Sequence, residues 1–152
     1  MRPLLLLLVT LPAFAQKTPA FTDYPAPAFT GKPAAPKIQR ADDRMFRTKI
    51  RDGAAAGPNF AGKFTLVQWG CGAGCVQSVV VNAANGDIFH LPSSELPCDT
   101  TGVACPINVS CAPPEAFGFK KDSELLVIHA CSKSNEPQTI YLRWRGTKFE
   151  RL

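Results

Sequence analysis

The segment from Phe64 to Val81, FTLVQWGCGAGCVQSVVV, sets two apolar runs on either side of a turn made of glycine, alanine and cysteine. Two such runs around a short glycine-bearing connection read as an antiparallel hairpin. A loop of Gly72, Ala73 and Gly74 supplies glycine for the left-handed backbone position that three-residue hairpin loops use. If Cys71 and Cys75 stand opposite each other, Trp69 faces Gln77, Val67 faces Val79 and Thr65 faces Val81 on one side of the ribbon. On the other side Leu66 faces Val80 and Gln68 faces Ser78. Apolar pairs therefore fall on both faces, which suits a central hairpin. Opposed residues in such a ladder have Cα atoms about 4.5 to 5.5 Å apart, within disulfide range.

Several chemistries compete for the Cys71/Cys75 pair. A structural staple fits the apolar neighbours, although a bridge over so short a loop contributes only about 2 kcal/mol by chain entropy. A redox pair needs a thiolate stabilised by a cation or a helix start, and the nearest charge in sequence is Lys63. A soft metal site is a third reading, with Cys71, Cys75, His129 and Cys131 as ligands to zinc or copper. The glycine-rich turn as an anion nest is a fourth. The staple is the favoured expectation, and no cofactor or metal is expected.

The chain opens MRPLLLLLVTLPAFAQ. Arg2, the short apolar run Leu4 to Leu11 and the small-x-small site Ala13-Phe14-Ala15 have the order of a secretory signal peptide, with cleavage expected after Ala15. The run is shorter than the roughly 20 residues a membrane span requires, and no later stretch is apolar enough to span. The cysteines all follow: Cys71, Cys75, Cys98, Cys105, Cys111 and Cys131. An even number in an exported chain points to disulfides and leaves their pairing open. The expected location is the periplasm or the cell exterior.

Three regions follow from the composition: a signal peptide at 1–15, a proline-rich extended arm at 16–37, and a single mainly-β domain at 38–152. The arm carries Pro19, Pro25, Pro27, Pro33 and Pro36, which exclude helix; Phe21, Tyr24 and Phe29 are its candidate anchors. A helix is expected over 41–57, with Phe46, Ile50 and Ala54 as its apolar stripe. Asp42 or Asp43 would cap its start and Gly57-Pro58 would stop it. The remainder reads as strands, with Asn85-Gly86 as a hairpin turn. Along QTIYLRWRG, Ile140, Leu142 and Trp144 share one face and Thr139, Tyr141, Arg143 and Arg145 the other. Residues 92–117 form a long cysteine- and proline-bearing loop. The expected fold is α+β and mainly β: an antiparallel meander of five to seven strands, disulfide-stabilised, with one N-terminal helix packed on the sheet.

The net charge of +5 is local rather than spread. Lys37, Arg40, Arg44, Arg47, Lys49 and Arg51 stand against only Asp42 and Asp43. A second basic cluster holds Arg143, Arg145, Lys148 and Arg151 with Glu150. Such clusters favour anionic partners with strong salt dependence, or simply keep a surface solvated. Arg44, Arg47 and Arg51 are the candidate anion-binding residues.

Hydrolytic signatures are missing: there is no G-x-S-x-G, H-E-x-x-H or P-loop pattern. His90 and His129 are the only histidines, each in an apparent strand, where a structural role is commoner. Trp69 and Trp144 are candidates for a sugar or nucleotide platform, but core tryptophans are more usual.

The stretch FRTKIRDGAAAGPNFAGKFTLVQWGCGAGC resembles an uncharacterised family of bacterial exported proteins marked by an NFAG box, a strand, WGCG and a second cysteine. The resemblance covers about residues 43–91. Members often carry histidine where this chain has Lys63. It implies an exported bacterial protein and supplies no mechanism. The function expected is a non-enzymatic envelope binding or inhibitor-like domain. Its partner would be an anionic envelope component or a protein, with no nucleic acid involved. The alternative is a thiol-redox or copper-handling protein using Cys71 and Cys75.

Overall fold

The computed structural model describes residues 17–72, 75–91, 117–131 and 137–152. The expected signal peptide, together with Cys98, Cys105 and Cys111, lies outside the described residues, and so do the side chains of Cys71, Cys75 and Cys131. A 3-10 turn at Phe21–Asp23 leads into two short helices, α1 (Ala41–Met45) and α2 (Arg47–Ala55). Seven strands follow: β1 (Phe64–Gly72), β2 (Cys75–Asn82), β3 (Ile88–His90), β4 (Phe117–Phe119), β5 (Leu125–Cys131), β6 (Pro137–Trp144) and β7 (Phe149–Arg151). They form two antiparallel meanders, β1-β2-β3 and β4-β5-β6-β7.

The expectation of one sheet with one helix is therefore corrected on both counts. The strands divide because both faces of β1 and β2 are apolar, and each face needs a cover. Leu66 and Val80 turn inward with Phe64 and meet Leu126, Ile128, Ile140, Leu142 and Trp144 of the second sheet. Val67, Trp69, Val79 and Val81 turn the other way and are covered by Ile50 and Ala54 of α2. Gly53 lets the helix lie close to β1, since a Cβ there would run into Val67. The helix breaks at Phe46, whose ring tilts against Trp69 at 5.1 Å. The stripe of Phe46, Ile50 and Ala54 thus faces the sheet as its spacing predicts, although it runs across two helical pieces.

Register follows the alternation for most of the hairpin. Thr65 pairs with Val81, Val67 with Val79 and Trp69 with Gln77. Beyond Gly70 the register shifts, so that Gly72 rather than Cys71 stands opposite Cys75. The direct opposition of the two cysteines is corrected accordingly. An irregularity of this kind leaves an extra residue on one strand and sharpens its local twist.

The second sheet is covered on its outer face by the proline-rich arm. Leu125 and Val127 lie on that face and are buried. Tyr24 accepts the Glu124 N–H through its carbonyl, and Ala26 N–H donates to Asp122. The Ser123 hydroxyl lies 2.8 Å from the Phe21 carbonyl and 3.1 Å from that of Tyr24. Arg143 sits over the Tyr24 ring and Lys120 over the Phe21 ring. Farther on, Ala34 and Lys37 donate to the carbonyls of Ala83 and Gly86. Five prolines cannot donate amides, but the N–H groups between them hold the arm across the ends of both sheets.

The Asn-Phe-Ala-Gly box is accounted for residue by residue. The Asn59 amide accepts the Leu66 N–H at 2.7 Å and donates to the Leu66 carbonyl at 3.1 Å, acting as a one-residue strand partner on the edge of β1. Phe60 is fully buried among Phe119, Trp144 and Phe149. Ala61 and Gly62 take positive φ, 43° and 77°. A Cβ on Gly62 would also collide with the Pro27 carbonyl. Lys63 is exposed beside the Phe64 ring.

Candidate functional site

The helices are anchored by one side, so their basic residues point outward. Ile50 and Ala54 are buried, whereas Arg44, Arg47, Lys49 and Arg51 are exposed. Arg47 and Arg51 are four residues apart on α2 and so share a flank. None of Arg44, Arg47 and Arg51 pairs with a described carboxylate; the ion pairs of this region use Lys37, Arg40 and His90. Met45, 78% exposed, sits between Arg44 and Arg47.

Beside this flank, the end of the arm, the start of α1 and β3 line a half-open cavity of about 310 Å³. Lys37, Gln39, Arg40 and Asp43 line one side, and Asp87, Ile88 and Phe89 the other. Asp43 is the buried member, only 4% exposed. The start of α1 belongs to Arg40, which makes no side-chain capping bond, so neither Asp42 nor Asp43 caps it as expected. Both still stand in the first turn, where negative charge is favoured. Asp43 instead reaches across to His90, whose Nε2 lies 2.7 Å from Oδ1. Arg40 Nη1 lies 3.4 Å from His90 Nδ1. A carboxylate only accepts and a guanidinium only donates, so this arrangement fits a neutral ring with its proton on Nε2. His90 thus ties the first helix and the end of the arm to β3.

The remaining charges of the cavity are matched. Lys37 pairs with Asp87 at 2.8 Å, and Arg40 with Asp42 at 3.6 Å. The hydrogen bond from Lys37 holds the Asp87 carboxyl below its ordinary range. At the arm's other end, the Lys17 ammonium and the Ala20 N–H do the same for Asp23.

Two arginines of the second basic cluster are matched. Arg143 pairs with Glu124 at 2.9 Å and Arg145 with Glu150 at 3.0 Å. Both tryptophans belong to the core: Trp144 is 1% exposed, and Trp69 donates its indole N–H to Gln77 at 3.1 Å. His129 lies on the arm-side face of the second sheet, opposite Thr139, while Cys71 and Cys75 belong to strands of the first sheet. Among the described residues, no three His, Cys, Asp or Glu side chains are grouped to hold a metal, and no helix is long and apolar enough to cross a membrane.

Arg44, Arg47 and Arg51 are the site residues the sequence singled out. The pairing of Asp43 with His90 escaped it, because the partners are 47 residues apart and each has a common local explanation, a helix cap and a strand histidine. No protein family, curated protein or solved structure matches the chain.

Proposed function

We propose that the chain is an exported, non-enzymatic binding domain that holds an anionic component of the cell envelope against the outer flank of its helices. One observation carries the reading: Arg44, Arg47 and Arg51 are exposed without a carboxylate partner among the described residues, on helices fixed from behind by Ile50 and Ala54. A cationic surface on a rigid support loses little side-chain-independent freedom when it binds, and unneutralised charge steers anionic ligands toward it. Export rests on the Arg2, Leu4 to Leu11 and Ala13-Phe14-Ala15 pattern. Disulfide bonding rests on the even cysteine number. The test is binding of the purified protein to inorganic polyphosphate at about 20 and 150 mM salt, across which screening increases severalfold. Affinity should fall steeply with salt, and the change of Arg44, Arg47 and Arg51 to Gln should flatten that dependence. Absence of binding at low salt would overturn the reading.

The register shift at Cys71 favours a second reading, thiol-redox or copper handling by Cys71 and Cys75, because bulged strands re-aim side chains beside functional sites. Thiol counting and redox titration of the native protein test it. A disulfide that resists glutathione would favour the structural staple, whereas a potential near those of thiol oxidoreductases would favour the second reading.

A further inference from the structure

We infer that the partner is an acidic polysaccharide, one sugar unit of which enters the cavity between the arm and β3 while its neighbours' charges lie along Arg44, Arg47 and Arg51. The inference rests on the reading of that flank as an anion-binding surface. The cavity and the flank offer opposite chemistry. On the flank, positive charge is left over. In the cavity lining it is balanced: Lys37 and Arg40 stand with Asp43 and Asp87. A balanced cavity does not select its occupant by charge. It selects by hydrogen bonding, and it presents both kinds of group: ammonium, amide and guanidinium donors from Lys37, Gln39 and Arg40, and carboxylate acceptors from Asp43 and Asp87. A ligand that both donates and accepts at several adjacent positions matches that lining, and sugar hydroxyls do so. A bare phosphate meets Asp43 and Asp87 with like charge and offers no such set of adjacent donors.

Size and position agree with this assignment. About 310 Å³ is at the lower end of the ~300–1,000 Å³ usual for ligand pockets, so the cavity takes one small unit rather than an extended chain. Arg40 and Asp43 line the cavity, and Arg44 is the next residue on the same helix. A linear polymer seated at one residue therefore passes directly onto the basic flank, and the two contacts reinforce each other as linked sites do. The outer side of α2 offers no apolar stripe, because Ile50 and Ala54 are spent on the sheet; this disfavours insertion into a lipid surface.

The experiment titrates the full-length mature protein with polygalacturonate, alginate and hyaluronate, with inorganic polyphosphate, and with phosphatidylglycerol vesicles, all at one ionic strength. At least one acidic polysaccharide should bind about tenfold more tightly per charge than polyphosphate. Gln39→Ala and Asp87→Asn should remove that advantage, and Gln39→Ala should leave polyphosphate binding unchanged, whereas Arg47→Gln with Arg51→Gln should weaken both. Gln39 is exposed, so its variant stays interpretable if Asp87→Asn perturbs the arm. Equal binding of polysaccharides and polyphosphate, indifferent to Gln39→Ala, would overturn the inference while leaving the basic flank as an anion surface. Preference for vesicles over every polysaccharide would also overturn it. Binding to none of the probes would overturn the flank reading and the inference together.

Discussion

Arg143 and Arg145, on and just after the last long strand, each meet a carboxylate within 3.0 Å. Arg44, Arg47 and Arg51, on the helices, meet none among the described residues. The two stretches look alike as sequence, since each is a run of arginine and lysine with little acid nearby. The fold separates them. Glu124 comes from the turn before β5 and Glu150 from β7, and sheet pairing carries both to the arginines: Leu125 stands opposite Arg143 and brings Glu124 beside it, and β7 brings Glu150 alongside the end of β6 to meet Arg145. A helix lying on the outside of a sheet receives no such neighbours on its far side. Charge in a sequence therefore becomes available surface charge only where topology leaves it unanswered, and the helical stretch is the one so left.

The comparison is broken most directly by exchanging what each stretch lacks. Neutralising Arg44, Arg47 and Arg51 to Gln should lower affinity for a polyanion about tenfold or more at low salt. The same treatment of Arg143 and Arg145 should change it less than twofold; equal losses in a binding titration would erase the distinction. The next largest effect concerns what holds the helical stretch in place. His90→Ala leaves the Asp43 carboxylate buried without its partner, which should cost about 1–3 kcal/mol in denaturant unfolding. Asp43→Asn keeps a hydrogen-bonding group there and should cost less than His90→Ala.

Gly53→Ala sets two terms against each other. Alanine gains roughly 1 kcal/mol of helix propensity, but its methyl group meets Val67 in a packed interface, a kind of crowding that costs about 1–3 kcal/mol. Net destabilisation is expected, and a higher melting temperature would show that the helix can lift off β1 without penalty. Smaller again is Glu124→Gln at the matched stretch, where loss of a half-exposed ion pair should cost at most about 1 kcal/mol.

The smallest effect is the response to acid. Asp23 and Asp87 are held below the ordinary carboxylate value of 3.8 by hydrogen bonds from Lys17 and Lys37. A lowered value means that the folded state holds these protons less tightly than the unfolded chain. Their stabilisation is complete above the ordinary value and is lost as pH falls through the lowered one. Protection of the Ala34 and Lys37 amides against exchange, relative to their intrinsic rates, should fall in that acid range, while amides of β5 stay protected.

Much of this arrangement is legible in the sequence where a period is strict. Two-residue alternation fixes Thr65 opposite Val81 and Val67 opposite Val79, and it separates Ile140, Leu142 and Trp144 from Tyr141 and Arg143. Apolar residues on both faces of the hairpin announce two covers, but not which elements supply them. The second sheet and the arm are reached only through contacts distant in sequence. The break at Phe46 is hidden because a spacing of four residues looks the same in one helix as in two. The one-residue shift after Gly70 is hidden because glycine and cysteine impose no apolar pattern there. Asp43 and His90 are hidden because no local rule couples a first-turn acid to a residue at the end of a strand.

The arm also has a consequence in time. Phe21 and Tyr24 are anchored by Ser123 across about a hundred residues of chain. Leu125 and Val127, which the arm side covers, lie as far downstream. The earliest part of this domain to be made therefore has no place to dock until nearly the last strands exist. Contacts so remote close slowly, since the loop they span must first be gathered. A chain organised in this way delays its own completion. Its first residues gain their native contacts only once the second sheet is made, and the domain locks when the arm is laid over a sheet that was finished after it.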